Sequence, residues 1–196
     1  MSRLPLQREP VTMVTGRFQP FHNDHLTLVL LALDRSDRVV VGITNPDRRS
    51  QLAQASSAHR HLDSANPFTY VERLRVVTAA LLAAGVPADR FDVVPFPLDA
   101  RCAWSSYADA DALQVVRIFT SWEADKADAL ERNGYRLLRL TGSLSERISA
   151  SDIRSCMAQG LPWEHLVPDG ARAVLLALGH VELRRRCSCL VPGAAR

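Results

Sequence analysis

An apolar run, a polar turn and an apolar helix follow one another near the start of this chain. Residues 11–15 (VTMVT) predict a buried strand, and the apolar stretch at residues 26–33 predicts a helix. A β-branched run at residues 38–43 (RVVVGI) predicts a second buried strand. Strand, helix and strand in so few residues form a βαβ unit, which requires a parallel sheet and a right-handed crossover. The start of the chain therefore predicts an α/β fold.

Strand and helix signals alternate through the rest of the 196 residues. We predict further strands at residues 91–95, 113–119 and 135–140. We predict further helices from Thr69 to about residue 84, at residues 122–132 and at residues 169–178. Because no repeat or linker interrupts this alternation, we predict one domain over residues 1–196, with an N-terminal tail at residues 1–10 and a solvated basic end at residues 182–186.

The turn before the first helix, residues 16–25 (GRFQPFHNDH), carries two histidines three residues apart. A helix N-terminus offers free N–H groups and a favourable dipole to a phosphate, and each imidazole can donate a hydrogen bond or carry positive charge. Ligands of parallel sheets bind beyond the carboxyl ends of the strands, where this turn falls. We therefore predict that His22 and His25 bind phosphate. The alternative is that His22 caps the turn and His25 packs under the sheet.

A second stretch, residues 148–154 (ISASDIR), combines two serines with an arginine where another helix begins. Ser149 or Ser151 caps this helix, which ends at Gly160. Hydroxyls, free N–H groups and Arg154 at one helix start could cradle a polyphosphate, although an ordinary capped helix would show the same pattern.

A long polar connection at residues 44–65 includes Arg60 and His61. Loops of this length inside a compact domain are usually functional or disordered. Two interpretations remain open for this segment, a basic lid that closes over an anionic substrate and a solvated loop.

Charge and cysteine content exclude several classes of protein. A net charge of +3 is too small to indicate nucleic-acid or membrane binding, and no apolar run approaches membrane-spanning length. The four cysteines match no zinc pattern, so reduced intracellular thiols are expected. We expect a cytoplasmic protein with no nucleic-acid or membrane partner. We also expect a homo-oligomer, which no single residue specifies.

Five stretches together resemble the nucleotidyltransferase superfamily of the His-x-Gly-His type, especially the archaeal-type nicotinamide-mononucleotide adenylyltransferases. They are GRFQPFH at 16–22 with HL at 25–26, NPFT at 66–69 with ER at 72–73, ERNGY at 131–135, IS at 148–149 with Ser151 and IR at 153–154, and WEHLVP at 163–168. These stretches cover almost the whole chain in collinear order. The resemblance implies a Rossmann-like, doubly wound parallel sheet with C-terminal helices.

The resemblance also implies a reaction. An acceptor phosphate oxygen attacks the α-phosphorus of a nucleoside triphosphate and releases pyrophosphate without a covalent intermediate, so catalysis is positioning plus charge neutralisation. On this basis the two histidines stabilise the α- and β-phosphate oxygens, while Arg17 and Arg154 grip the triphosphate and Mg²⁺ bridges the phosphates. The implied nucleotide site consists of Gly16, Arg17, Phe18, His22, His25, Ser149, Ser151 and Arg154.

The chain departs from the family pattern beside both the phosphates and the base. Asp24 stands where the family has glycine before its second histidine. Its carboxylate could raise the pKa of an imidazole, help to hold the metal or point outward. The Ser-Gly-Asn stretch that lines the nucleotide site of the adenylyltransferases is replaced by residues 120–122 (TSW). The base recognised by this chain can therefore differ from the adenine of the adenylyltransferases.

A third departure concerns the acceptor. In the adenylyltransferases, an asparagine recognises the carboxamide of nicotinamide. A tryptophan three residues later in the sequence stacks on the nicotinamide ring. Trp104 matches this tryptophan, but Arg101 takes the place of the asparagine. Arginine cannot accept from an amide N–H, whereas it pairs well with a carboxylate. We therefore predict an anionic acceptor, bound by Arg101, Trp104, Arg60 and His61.

These features leave three hypotheses. The favoured one is a CTP-dependent cytidylyltransferase that acts on a carboxylated phosphonate, such as phosphonoformate, in natural-product biosynthesis. The second is an ATP-dependent nicotinamide- or nicotinate-mononucleotide adenylyltransferase of NAD synthesis. The third is a nucleotide-binding regulator that lost turnover because of Asp24.

Overall fold

The computed structural model describes residues 8–47 and 65–188, whose five strands form one parallel sheet with the order β3-β2-β1-β4-β5. The strands are β1 (Glu9–Gly16), β2 (Ser36–Ile43), β3 (Phe91–Pro95), β4 (Leu113–Ile118) and β5 (Leu137–Thr141). The helices are α1 (Asn23–Leu33), α2 (Tyr70–Ala83), α3 (Ser121–Arg132), α4 (Ala150–Gln159), α5 (Asp169–Ala177) and α6 (His180–Ser188). The predicted doubly wound α/β fold is confirmed.

The chain starts in the middle of the sheet, and the strand order reverses between β1 and β4. β1 pairs with β2 from Glu9↔Ser36 to Gly16↔Ile43. With β4, by contrast, β1 pairs only at Thr12↔Leu113 and Met13↔Gln114. The carboxyl ends of β1 and β4 are therefore not paired with each other, which opens a crevice at the point where ligands of such sheets bind.

Alternating strand residues supply two hydrophobic layers. Val14 and Val41 belong to a core shared with α1, α2, α4, α5 and α6. Their neighbours Met13 and Val40 belong to a second core, which includes Leu130 of α3. Because successive side chains of a strand point to opposite faces, both faces of the sheet are covered by helices.

Two element boundaries differ from the prediction near the N-terminus. α1 begins at Asn23 rather than residue 26, since His22 adopts an extended conformation and caps the helix. β1 begins at Glu9, so the predicted tail at residues 1–10 extends too far. The Glu9 N–H donates to the Arg35 carbonyl (2.7 Å), and the Glu9 carboxylate forms a bidentate pair with Arg136 (2.7 and 2.9 Å).

The predicted solvated end at residues 182–186 is wrong, because this segment belongs to α6. Leu183 and Cys187 are buried one helical turn apart. Arg186 is half-buried and donates to Glu72 of α2 (2.8 and 2.9 Å) and to Glu182 (2.7 Å). Charged residues therefore cover a helix that packs on the core through its apolar side.

Most of the predicted lid, residues 48–64, lies outside the described residues. Within residues 8–47 and 65–188, no helix is both long and apolar enough to span a bilayer.

Candidate nucleotide site

The turn after β1 folds back on itself and is fixed from inside the protein. Phe18 has a φ of +53°, and its ring lies over Gly16, where an added Cβ would come within 2.6 Å of Phe18 Cε1. Gln19 precedes a cis peptide bond to Pro20. The buried Gln19 amide donates to the Phe68 carbonyl (2.9 Å) and accepts from the Phe68 N–H (3.0 Å). Glycine is therefore required at position 16, and the turn is held against the segment that precedes α2.

Arg73 of α2 holds the ends of two strands at the same place. Its guanidinium is buried and donates to the carbonyls of Arg17 (2.8 Å), Thr44 (2.7 Å) and Asn45 (2.7 Å). Burial lowers the pKa of Arg73 to about 10, which still leaves the group charged at neutral pH. Arg73 is thus a framework residue that sets the positions of the turn and of the segment after β2.

The two histidines form a stacked pair at the start of α1. His22 is the N-cap and His25 occupies the third helical position. The His22 N–H donates to His25 Nδ1 (3.3 Å), and the ring centroids are 3.5 Å apart. Because Nδ1 of His25 accepts this bond, the neutral His25 ring carries its proton on Nε2. His22 Nδ1 is buried without a hydrogen-bond partner among the described residues.

Burial and positive neighbours keep both imidazoles neutral. Burial, followed by the charge of Arg147, lowers the pKa of His22 to about 3. Burial lowers the pKa of His25 well below its usual value, with further contributions from His22, Lys126, Arg147 and Arg117. Of the two roles predicted for these side chains, hydrogen-bond donation is therefore the one that fits these lowered pKa values.

The start of α4 meets the histidine turn. Ser149 is the N-cap, and its Oγ accepts from the Ser151 N–H (3.2 Å). Arg154 is 3% exposed and donates through Nη1 to the Gln19 carbonyl (2.7 Å) and through Nη2 to Ser151 Oγ (3.1 Å). Its Nε is buried and has no hydrogen-bond partner among the described residues. A buried cation thus joins the two stretches that the sequence singled out.

Asp24 makes a second connection between these helices. Its Oδ2 accepts from the Ile148 N–H at 2.7 Å, so a side chain of the first turn of α1 binds the backbone just before α4. The residue that departs from the family pattern therefore ties together the N-termini of α1 and α4.

Both helix starts line one open cavity at the carboxyl ends of β1 and β4. From the predicted nucleotide site, it is lined by Gly16, Arg17, Phe18, His22 and His25. Asp24, Ile148 and Ala150 also line it, whereas Ser149, Ser151 and Arg154 do not. The structure thus brings the two predicted stretches into one cleft.

Three further cations line this cavity and were missed in the sequence analysis. They are Arg117 at the end of β4, Lys126 in α3 and Arg147 before α4. Arg147 donates to Glu123 (3.3 Å) and lies 4.8 Å from the centroid of the Phe119 ring. Their common location follows from the strand order. β4 returns beside β1 and leads to Arg117 and Lys126, and β5 beside it leads to Arg147 at the same edge of the sheet.

The predicted acceptor residues lie elsewhere. Trp104 is 2% exposed in the second core, where its ring stacks on Phe96 with centroids 5.3 Å apart and its Nε1 donates to the Pro97 carbonyl (2.8 Å). Arg101 is exposed, and neither residue lines the cavity. The other two predicted acceptor residues, Arg60 and His61, are outside the described residues.

The described residues do not form a metal site by themselves. They contain no group of three or more histidine, cysteine or acidic side chains arranged to hold an ion. The cavity is lined by two carboxylates, and both make bonds within the protein. Asp24 accepts from Ile148, while Glu123 accepts from the Thr120 N–H (2.9 Å) and from Arg147.

Proteins of known activity are similar to this chain over most of its length. The family model described as cytidylyltransferase-like matches residues 13–155. A phosphonoformate cytidylyltransferase from Streptomyces viridochromogenes is 36% identical over 85% of this chain and 91% of its own. A nicotinamide-nucleotide adenylyltransferase from Thermococcus onnurineus is 30% identical over 87% of this chain and 84% of its own.

A solved structure supports the same fold. A bifunctional NMN adenylyltransferase/ADP ribose pyrophosphatase from Francisella tularensis, complexed with AMP and a manganese ion, superposes with a TM-score of 0.63 at 14% identity. The match covers 92% of this chain and 52% of the Francisella protein, so this chain spans about half the length of that protein. Together with the matched family model, the chain's histidine turn and helix starts identify it as a nucleotidyltransferase of the cytidylyltransferase-like family.

Proposed function

We propose that this enzyme transfers a cytidylyl group from CTP to a small carboxylated phosphonate, such as phosphonoformate, and releases pyrophosphate. The observation that carries the proposal is the convergence of the α1 and α4 N-termini on one cleft at the carboxyl ends of β1 and β4. Free N–H groups and dipoles of two helices there favour a polyphosphate. The choice of CTP and phosphonate is supported by the relative from Streptomyces viridochromogenes.

In the proposed reaction, an acceptor oxygen forms a bond to the α-phosphorus while the bond from that phosphorus to the bridging β-phosphate oxygen breaks. The protein positions the partners and stabilises the charge that moves to pyrophosphate. His25 donates from Nε2, and Arg17 and Arg154 bind the triphosphate as cations. Ser149 and Ser151 are proposed to donate at the start of α4.

Mg²⁺ is proposed as the counter-ion of the triphosphate. Because the described residues offer no ligand cage, phosphate oxygens and retained waters would supply most of its ligands, as is usual for this ion. Asp24 is the proposed protein ligand, in competition with its bond to Ile148.

The buried position of Trp104 supports a small acceptor over a pyridine mononucleotide. A tryptophan that is 2% exposed and packed on Phe96 offers no face to an aromatic ring, and phosphonoformate has no ring to stack. Arg101 remains the proposed carboxylate ligand. It follows β3, whose carboxyl end lies at the same edge of the sheet as the cavity, and its guanidinium is exposed.

Pyrophosphate release over a grid of nucleotides and acceptors tests this proposal. CTP and ATP are each combined with phosphonoformate, nicotinamide mononucleotide and nicotinate mononucleotide. We expect turnover with CTP and phosphonoformate. Turnover with ATP and a pyridine mononucleotide alone would show the adenylyltransferase instead, and calorimetric binding of nucleotide without turnover on any acceptor would support a regulator.

We further propose that the enzyme is cytoplasmic, forms one domain and works as a homo-oligomer without nucleic acid or membrane. Light scattering on the purified protein measures the oligomeric state.

A further inference from the structure

Lys126 occupies the floor of the crevice between β1 and β4. The two strands stop pairing after Met13↔Gln114, so the following residues of β1 have no ladder partner in β4. Lys126 reaches across from α3, and its Nζ donates to the Thr15 carbonyl (3.2 Å) and to Thr15 Oγ1 (3.2 Å). The ammonium is thereby fixed at the end of β1, one residue before the turn that leads to the histidines.

The charge of Lys126 acts on the cleft. Lys126 lines the same cavity as both histidines, and its positive charge contributes to the lowered pKa of His25. The two Thr15 oxygens that accept these bonds are neutral, and the bonds orient the ammonium. Arg117 and Arg147 line the cavity beside it. The carboxylates of Asp24 and Glu123 also line the cavity, and Glu123 pairs with Arg147. A bound polyphosphate would place its negative charge beside all three cations.

We propose that Lys126 is a substrate-binding residue whose ammonium contacts a phosphate oxygen of the bound nucleoside triphosphate. A compact, strongly hydrated ammonium with rotatable donors is well suited to a phosphate as a point charge. The inference rests on the proposed function only in taking the bound anion to be the triphosphate of the nucleotide.

Lys126 is the only lysine among the 196 residues, which allows a direct test by chemical labelling. Formaldehyde with a borane reductant methylates primary amines, here Lys126 and the N-terminal amine, and peptide mass spectrometry separates the two. Inorganic tripolyphosphate serves as the probe because it contains no amine. At about ten times its Kd it occupies roughly 90% of sites, so methylation of Lys126 should fall roughly tenfold. The N-terminal amine is the internal control.

Two results of the labelling would overturn the inference. One is methylation of Lys126 at the same rate with and without tripolyphosphate, in a sample where calorimetry shows that tripolyphosphate binds. The other is a Lys126 that does not react even in the free protein, because an amine on the floor of an open cavity must be reachable.

Variants separate ligand binding from a structural role. Lys126→Met keeps the apolar stem and removes the charge, while Arg132→Met removes a charge from an exposed position of the same helix. We expect Lys126→Met to raise the Kd for tripolyphosphate at least about tenfold, as for a lost charge-assisted hydrogen bond. Lys126→Arg should restore part of the lost affinity for tripolyphosphate, and Arg132→Met should leave the Kd unchanged. A Lys126→Met protein that loses stability but keeps its Kd would mean that the residue only supports β1.

The experiments also distinguish this inference from the proposed function. If tripolyphosphate protects Lys126 but no nucleotide and acceptor pair turns over, the proposed reaction fails and the inference stands. If CTP turns over and Lys126 is not protected, the inference fails and the reaction stands.

Discussion

His22 and His25 lie face to face with their centroids 3.5 Å apart, a spacing that two imidazolium ions would resist. The pair is possible because burial keeps both rings neutral. A neutral ring that is already fixed by a hydrogen bond to its Nδ1 presents Nε2–H in one direction. Such a donor needs little reorganisation when charge develops on a phosphate oxygen.

The buried pair should make the stability of the protein depend on pH. The pKa of His22 is about 3 in the folded protein and about 6.5 when unfolded, so the unfolded chain binds more protons between these values. Stability is complete above about pH 6.5 and falls below it, by at most about 1.4 kcal/mol per pH unit for each histidine. Urea unfolding between about pH 7.5 and 5.5 measures this. The His22→Gln/His25→Gln double variant should lose most of the dependence, and a flat wild-type profile would contradict the buried neutral pair.

Loss of the second imidazole should affect chemistry more than folding. We expect His25→Ala to reduce kcat at least about a hundredfold, which is typical for one preorganised donor. His165→Ala, at an exposed histidine outside this cavity, is the matched control. Near-normal turnover of the His25 variant, measured as pyrophosphate release, would exclude the assigned role.

Arg101 can be tested through the two substrates separately. If its exposed guanidinium binds the acceptor carboxylate, Arg101→Asn should raise the KM for phosphonoformate by a factor of about ten and leave the KM for CTP unchanged. Steady-state kinetics with each substrate varied in turn gives both constants. Equal losses for both substrates would contradict this placement.

At the scale of elements, Asp24 stands where the family pattern has a glycine, and its carboxylate links α1 to the segment before α4 by accepting from the Ile148 N–H. A carboxylate in the first turn of α1 is favoured by the helix dipole, and its bond to Ile148 satisfies an N–H just before α4. Asp24 therefore stabilises the arrangement of the two helix starts that bind phosphate in our proposal.

Removing this link should lower stability. We expect Asp24→Ala to reduce the free energy of unfolding by about 1.5–3 kcal/mol, the range for a hydrogen bond that involves a charged group. Asp152→Ala, at an exposed position in the first turn of α4, is the control. Urea denaturation gives the values. Unchanged stability combined with a selectively weakened response to Mg²⁺ would assign Asp24 to the metal instead.

At the scale of the whole molecule, the sequence predicted what depends on local order. The periodicity of hydrophobic residues and the helix-capping residues located every strand and most helices. Two motifs at helix starts predicted a shared cleft. α6 was missed because Arg184, Arg185 and Arg186 hide the apolar spacing of Leu183 and Cys187. The charged segment at residues 182–186 was predicted to be solvated, whereas tertiary packing buries one side of the helix to which it belongs.

Side-chain direction and long-range neighbours could not be predicted in the same way. Trp104 was assigned to the acceptor from its position in a motif, but the depth at which Phe96 packs against it is set by the whole sheet. Lys126 lies in the middle of an ordinary polar helix, and no local pattern shows that β4 brings it beneath Thr15. Both outcomes depend on contacts between residues far apart in the chain.

Nucleotide binding should also be visible across the sheet. Because the cavity lies over the carboxyl ends of β1 and β4, tripolyphosphate should slow amide hydrogen exchange in the second half of β4 and in the first turn of α4. The ladder between β1 and β2 pairs along nearly the whole strand and should change little. Mass spectrometry of exchanged peptides measures both regions, and equal changes in them would indicate general stabilisation only.

The short seam between β1 and β4 also has a mechanical consequence. The backbone pairing of β1 with β4 is limited to Thr12 and Met13, so main-chain hydrogen bonds divide the sheet into a three-strand block and a two-strand block that meet at a pivot at the amino end of β4. A small rotation about that pivot would change the width of the cavity's opening while breaking very few main-chain hydrogen bonds. The bonds from Ile148 to Asp24 and from Arg154 to the Gln19 carbonyl join the two blocks at the end where the cavity lies, so these two contacts set the separation of the blocks there.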